Sequence, residues 1–198
     1  MINSQLGRHK ENRNIRGSGS SQGNMTDPSD LFWNRKLLTT GKRTVIVIRI
    51  KAKDAATTAT EAQLADDIFG ASGDRWNLKT GYAQCSYGQL QFEPLTTNAH
   101  IGRDGVYTVN LPNTIVRGKS REVICNAALA KATADLGKAP HLLANHVMVC
   151  IPPGTNGTWI GYSVCKHWMS VFNDKWCQYP SSQMHEIGES MISCLVQT

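Results

Sequence analysis

The stretch Thr44-Val-Ile-Val-Ile-Arg-Ile50 constrains the fold more than any other. It is apolar, β-branched and of strand length, without the polar alternation of a half-exposed strand. It therefore suits a strand buried on both faces. The chain of 198 residues is long enough to surround such a strand with a core, and its length fits one domain.

The segments that follow alternate between helix and strand patterns. Thr58-Ala-Thr-Glu61 reads as a capping box, with Leu64, Ala65, Ile68 and Phe69 on one helical face and Gly70 as the stop. A second short helix is expected over Asn77 to Ser86, with Leu78, Tyr82 and Cys85 on one side. Gln89 to Phe92 and Gly105 to Leu111 alternate like strands. Ser120 can cap a long helix to about Leu136, lined by Val123, Ala127, Ala130 and Ala134 and ended by Gly137 and Pro140. His146 to Ile151 reads as a buried strand, and Thr158 to Ser163 and Trp168 to Phe172 as two more. A turn at Asn173-Asp174 follows, and a last helix is expected to start near Ser181 or Ser182. The order β α α β β α β β β α indicates an α/β domain, with α+β as the alternative, and a mostly parallel or mixed sheet.

Charge excludes one class of partner. The net charge is +6, but residues 1–43 hold eight basic and three acidic residues. The rest of the chain carries 13 basic and 12 acidic residues and is nearly neutral. A surface that tracks phosphates needs its charge on the fold, so no nucleic acid is expected as partner. Residues 1–30 are rich in Ser, Gly, Asn and Arg and read as a disordered tail, which Leu31 to Gly41 joins to the domain. No window reaches the roughly 18 apolar residues of a membrane span, and the start of the chain shows no apolar run of signal-peptide length.

Six cysteines (85, 125, 150, 165, 177 and 194) include no C-x-x-C pair, which excludes a zinc ribbon or a thioredoxin motif. Their even number permits disulfides and equally permits buried thiols, and the pairing is not readable. Asn156-Gly157-Thr158 is a glycosylation triplet in a Pro/Gly-rich loop, and Asn24-Met25-Thr26 is another in the tail. His146 at a strand start reads as structural, and His100 and His141 fall in loops without a partner pattern. His167 can edge a cleft. Trp159, Trp168 and Trp176 read as core packing.

The sharpest chemical feature is Gln183-Met-His-Glu-Ile-Gly-Glu189. His185-Glu186 opens the pattern H-E-x-x-H, in which residues i and i+4 on one helical face grip zinc and the intervening Glu serves a zinc-bound water as general base. Here the i+4 position holds Glu189. Taken alone, the dipeptide reads better as the polar first turn of a surface helix.

It has company. Thr44 to Ile50, Asp54-Ala-Ala-Thr-Thr58, Leu64 to Gly70, Asn77 to Phe92 with its Cys85-Ser-Tyr-Gly88 block, Trp159-Ile-Gly161 and Gln183 to Gly188 resemble, in order and spacing, the gametolysin (autolysin) family of metzincin-like zinc metallopeptidases. The resemblance covers about residues 43–188. It implies a metzincin-like fold over 44–188 and a Zn2+-dependent endopeptidase that acts on extracellular-matrix or cell-wall proteins. It also implies a protein or glycoprotein substrate and an extracellular location. His185 matches the first zinc ligand, Glu186 the catalytic base, and Gly188 the small residue before the second ligand. Glu189, Ile192 and Leu195 stand where the family pattern continues with His, Gly and His. A carboxylate can ligate zinc, so Glu189 is the available second donor. The segment 189–198 is expected to be an altered ending, and a signal-bearing segment is expected upstream of Met1. These departures predict weak zinc binding and little proteolysis. The alternative function is a non-catalytic pseudopeptidase or matrix-binding module.

Overall fold

The computed structural model describes residues 40–70, 76–98, 100–102, 104–165 and 167–191. The expected disordered tail and most of the altered ending lie outside them.

Strand β1 (Gly41–Ala52) is the centre of a six-stranded sheet. Val45, Ile46, Val47, Ile48 and Ile50 have no exposed surface, as their apolar run requires. Successive strand residues point to opposite faces, so Ile46, Ile48 and Ile50 enter one core and Val45 and Val47 another. Strand β4 (His146–Ile151) pairs in parallel with β1 and divides its side chains in the same way. Beyond β4 comes β6 (Met169–Asn173), parallel, and then the edge strand β5 (Gly161–Ser163), antiparallel to β6.

The other edge is unusual. Strands β2 (Leu90–Pro94) and β3 (Val106–Leu111) both lie parallel to β1 on the same side, one after the other. Val45 aligns with Pro94 and Val47 with Val106. The two act as one broken edge strand interrupted by the loop between them. Pro94 suits this edge, where its missing N–H leaves no ladder bond unmade. Gly105 closes the loop with φ +72°, and a Cβ there would lie 2.6 Å from the Pro94 Cβ.

Helix α3 (Arg121–Leu136) covers one face through Ile124, Cys125, Ala128, Ala132 and Leu136. The expected stripe of Val123, Ala127, Ala130 and Ala134 is corrected: Val123 is 54% exposed. In an alanine-rich helix several stripes are almost equally apolar, and the large Ile124 and Leu136 decide which one turns inward. The short helix α4 (Pro140–Leu143) leads into β4. On the opposite face lie α1 (Glu61–Phe69), α2 (Leu78–Cys85), a 3-10 turn (Asp174–Gln178) and α5 (Pro180–Met191).

The α1 cap also differs from expectation. Thr60, not Thr58, is the N-cap, with Gln63 completing the box. Thr58 is occupied elsewhere, since its N–H and hydroxyl both donate to the Asp174 carboxylate at 2.7 and 2.9 Å. The strand expected from Thr158 begins only at Gly161, and Cys85 is exposed rather than on the packed side of α2. Helices on both faces of a mostly parallel sheet make this a mixed α/β domain, as the element order indicates.

Candidate active site

Helix α5 starts at Pro180, whose missing N–H suits a first turn. Several contacts hold it in place. Ile187 is fully buried in the core. The Gln183 amide donates to the Cys177 carbonyl at 2.8 Å. The Tyr82 hydroxyl, reaching across from α2, donates to the Met184 carbonyl at 2.7 Å. Immediately before α5, the disulfide Cys150–Cys177 ties β4 to the 3-10 turn with Cα atoms 5.8 Å apart. That bridge settles one pairing that spacing left open. Cys165 is also disulfide-bonded, whereas Cys85 and Cys125 are free thiols, Cys125 buried.

The helical period sorts the expected site residues. His185 and Glu189 stand on the outer face, their side chains 66% and 50% exposed. The His185 Nε2 and a Glu189 oxygen lie 3.2 Å apart. Two donors each about 2.0 Å from one tetrahedral zinc are separated by about 3.3 Å. The 3.2 Å contact is that of an i,i+4 ion pair, and the same spacing would suit two ligands of one zinc. Among the described residues, however, no group of three His, Cys, Asp or Glu side chains could hold a metal. The residues present thus fit two of the three protein positions a catalytic zinc ordinarily takes.

Glu186, the residue after His185, turns inward beneath edge strand β5. It is 6% exposed, and its Oε2 is buried without a hydrogen-bond partner. Burial raises its pKa above the usual carboxylate value, and the neighbouring Glu189 charge adds to the rise. His185 and a hydrogen bond from Ser163 oppose it. A carboxylate deprived of solvent but retaining a free oxygen is equipped to accept a proton.

Strand β5 completes the surroundings. The Ser163 hydroxyl donates to a Glu189 oxygen at 3.3 Å. A Cβ at Gly161 would lie 2.9 Å from Glu186 Oε1. Neither residue is identifiable as part of a site from its type. The only sequence signal was the Trp159-Ile-Gly161 block.

The other histidines are placed differently. His146 is 4% exposed and shares a 2.9 Å hydrogen bond with the Ser170 hydroxyl. Burial, aided by His167, lowers its pKa to about 3, so it is a neutral structural group. His167 does edge a cavity of about 260 Å³, together with His146, Trp168 and Ser190. The Trp168 ring contacts those of His141 and His167, each with centroids 4.7 Å apart. Trp159 and Trp168 pack against the core, and Trp176 packs on Tyr179. The 260 Å³ cavity and a 330 Å³ cavity near Trp76 and Tyr179 do not include His185, Glu186 or Glu189. The candidate site is an open surface under a sheet edge.

A mostly parallel sheet with helices on both faces is consistent with a peptidase domain. The family model for gametolysin peptidase M11 matches residues 42–191, and the chain belongs to that family. Neither a curated protein nor a solved structure gives a match. The matched span passes Glu189 and reaches the end of α5, so the family likeness runs slightly beyond Gly188. Gametolysins are metallopeptidases, which implies a metal cofactor.

Proposed function

We propose that this protein is a zinc-dependent metalloendopeptidase acting on extracellular-matrix or cell-wall proteins. The carrying observation is the arrangement on α5: His185 and Glu189 at chelating distance outside, Glu186 buried with a free oxygen beside them. His185 and Glu189 are the zinc donors of this chain. When bound, zinc supplies Lewis acidity and makes water ionise near neutral pH. Glu186 takes the proton of the attacking water. Its raised pKa brings it closer to neutrality and so makes it a better partner for returning that proton to the leaving amine. The metzincin-like fold belongs to this same reading.

An extracellular location is supported by the Cys150–Cys177 bridge, which persists in an oxidising compartment, and by the exposure of Asn156 in its glycosylation triplet. Among the described residues no helix is long and apolar enough to cross a membrane.

One observation favours a second reading, a pseudopeptidase that holds matrix protein without cutting it. The described residues present two zinc donors instead of three. Zinc titration against a chelator and cleavage of casein or gelatin separate the two. The peptidase reading expects weak zinc-dependent cleavage that Glu186→Ala abolishes without further loss of zinc. It also expects His185→Ala to release zinc, and Glu189→His, with a stronger neutral donor, to tighten it by roughly tenfold or more. Retained zinc in His185→Ala, or cleavage that survives Glu186→Ala, sinks it.

A further inference from the structure

We propose that Gly161 and Ser163 on edge strand β5 are positioning residues that seat the Glu186 and Glu189 carboxylates beside the metal donors. This rests on the peptidase reading of α5.

The strand period places Gly161 and Ser163 on one face of β5 and Tyr162 on the other. Tyr162 points into the core under α3, with the Arg121 guanidinium 4.4 Å from its ring centroid. Gly161 and Ser163 consequently face α5. At Gly161 the absent side chain is the functional feature. A Cβ there would lie 2.9 Å from Glu186 Oε1, 3.0 Å from its Cγ and 3.1 Å from its Cδ. Such separations are well inside the roughly 3.5–4.0 Å of favourable carbon contacts. The Glu186 side chain fills the space that a side chain at 161 would occupy.

The three nearest atoms that would clash all belong to the Glu186 side chain. Any larger residue at 161 therefore displaces the Glu186 carboxylate rather than the sheet. Two residues along, the Ser163 hydroxyl donates to a Glu189 oxygen at 3.3 Å. One strand thus sets the position of the proton acceptor by contact and that of the second donor by a hydrogen bond. On its far side α5 is fixed against α2, where a Cβ at Gly188 would sit 3.1 Å from the Tyr82 hydroxyl. The helix has little freedom to yield.

The test pairs stability with kinetics in the zinc-loaded full chain. Gly161→Ala should lower Tm by about 3 °C or more, the effect of modest overpacking in a domain of this size. With Glu186→Ala already present, the same change should leave Tm unaltered, because the clashing atoms are gone. In casein cleavage Gly161→Ala should lower kcat by about 100-fold and move KM less than about twofold, as misplacement of a reacting group does. Ser163→Ala should lower kcat by roughly tenfold and weaken zinc, with Ser163→Thr restoring both. Equal Tm shifts in the two Glu186 backgrounds overturn the proposed seat. An unchanged kcat in Gly161→Ala overturns the positioning role. If the wild type cleaves nothing yet the Tm coupling is present, the seat stands and the peptidase reading is what fails.

Discussion

His146 shows how burial converts a titratable side chain into a structural one. Its ring is covered on strand β4 and tied to Ser170, and its folded pKa of about 3 lies well below the ordinary 6.5. A histidine that resists protonation in the fold contributes stability above the unfolded pKa, which is lost as pH falls through and below that value. The unfolded chain accepts the proton there and the native chain does not. Between pH 7.5 and 5 the wild type should lose about 2 kcal/mol more than His146→Gln, at about 1.4 kcal/mol per pH unit. Urea unfolding at the two pH values measures this, and parallel losses would exclude His146 as the group. Glu186 lies at the other end of the same physics. Its burial also penalises charge, and its Oε2 is left unpartnered; in the function proposed above it is the proton acceptor.

Among the elements, the end of β1 is tied to the loop before α3 by a carboxylate and by the Lys53 amide, which donates to the Thr114 carbonyl at 3.0 Å. Asp54 follows that strand and accepts the Val116 and Arg117 amides at 2.8 and 3.1 Å, drawing in the loop before α3. The Val116 amide foremost, then that of Arg117, holds its pKa below the usual 3.8. An acid with a depressed folded pKa stabilises above its unfolded value and loses that contribution as pH falls. Asp54→Ala should therefore lower Tm at pH 7, and the gap should narrow as pH drops below about 4. A pH-independent gap in thermal scans would mean that the loop is held by something else. The same logic of occupied partners explains α1: Asp174 engages Thr58, and the cap passes to Thr60.

Across the molecule, the Cys150–Cys177 bridge joins the central sheet to the approach of the site helix. It closes a sequence separation of 27 residues. Loop-closure entropy for that length corresponds to about 3.5 kcal/mol. Cys150→Ala combined with Cys177→Ala should lower unfolding free energy by at least about that amount, because both sulfurs are fully buried and leave voids. A urea midpoint unchanged from wild type would contradict it. Reduction should loosen α5 first, since the bridge anchors the segment that delivers it. Zinc affinity is then expected to fall before the sheet melts.

Much of this architecture was legible because period and composition act locally. The apolar run of β1, the alternation in β3, the Gly70 stop and the His185-Glu186 pair each state their own surroundings. A double-faced strand demands cover, and residues four apart on a helix share a face. What spacing could not disclose depends on neighbours distant in sequence. Choosing Ile124 over Val123 as the inward residue needed the shape of the sheet beneath α3. Pairing Cys150 with Cys177 needed β4 beside the 3-10 turn. The closeness of Gly161 to Glu186 arises only when β5 folds antiparallel onto β6 and α5 packs beneath it. A glycine's function there is the space it leaves, and only the tertiary structure decides what fills that space.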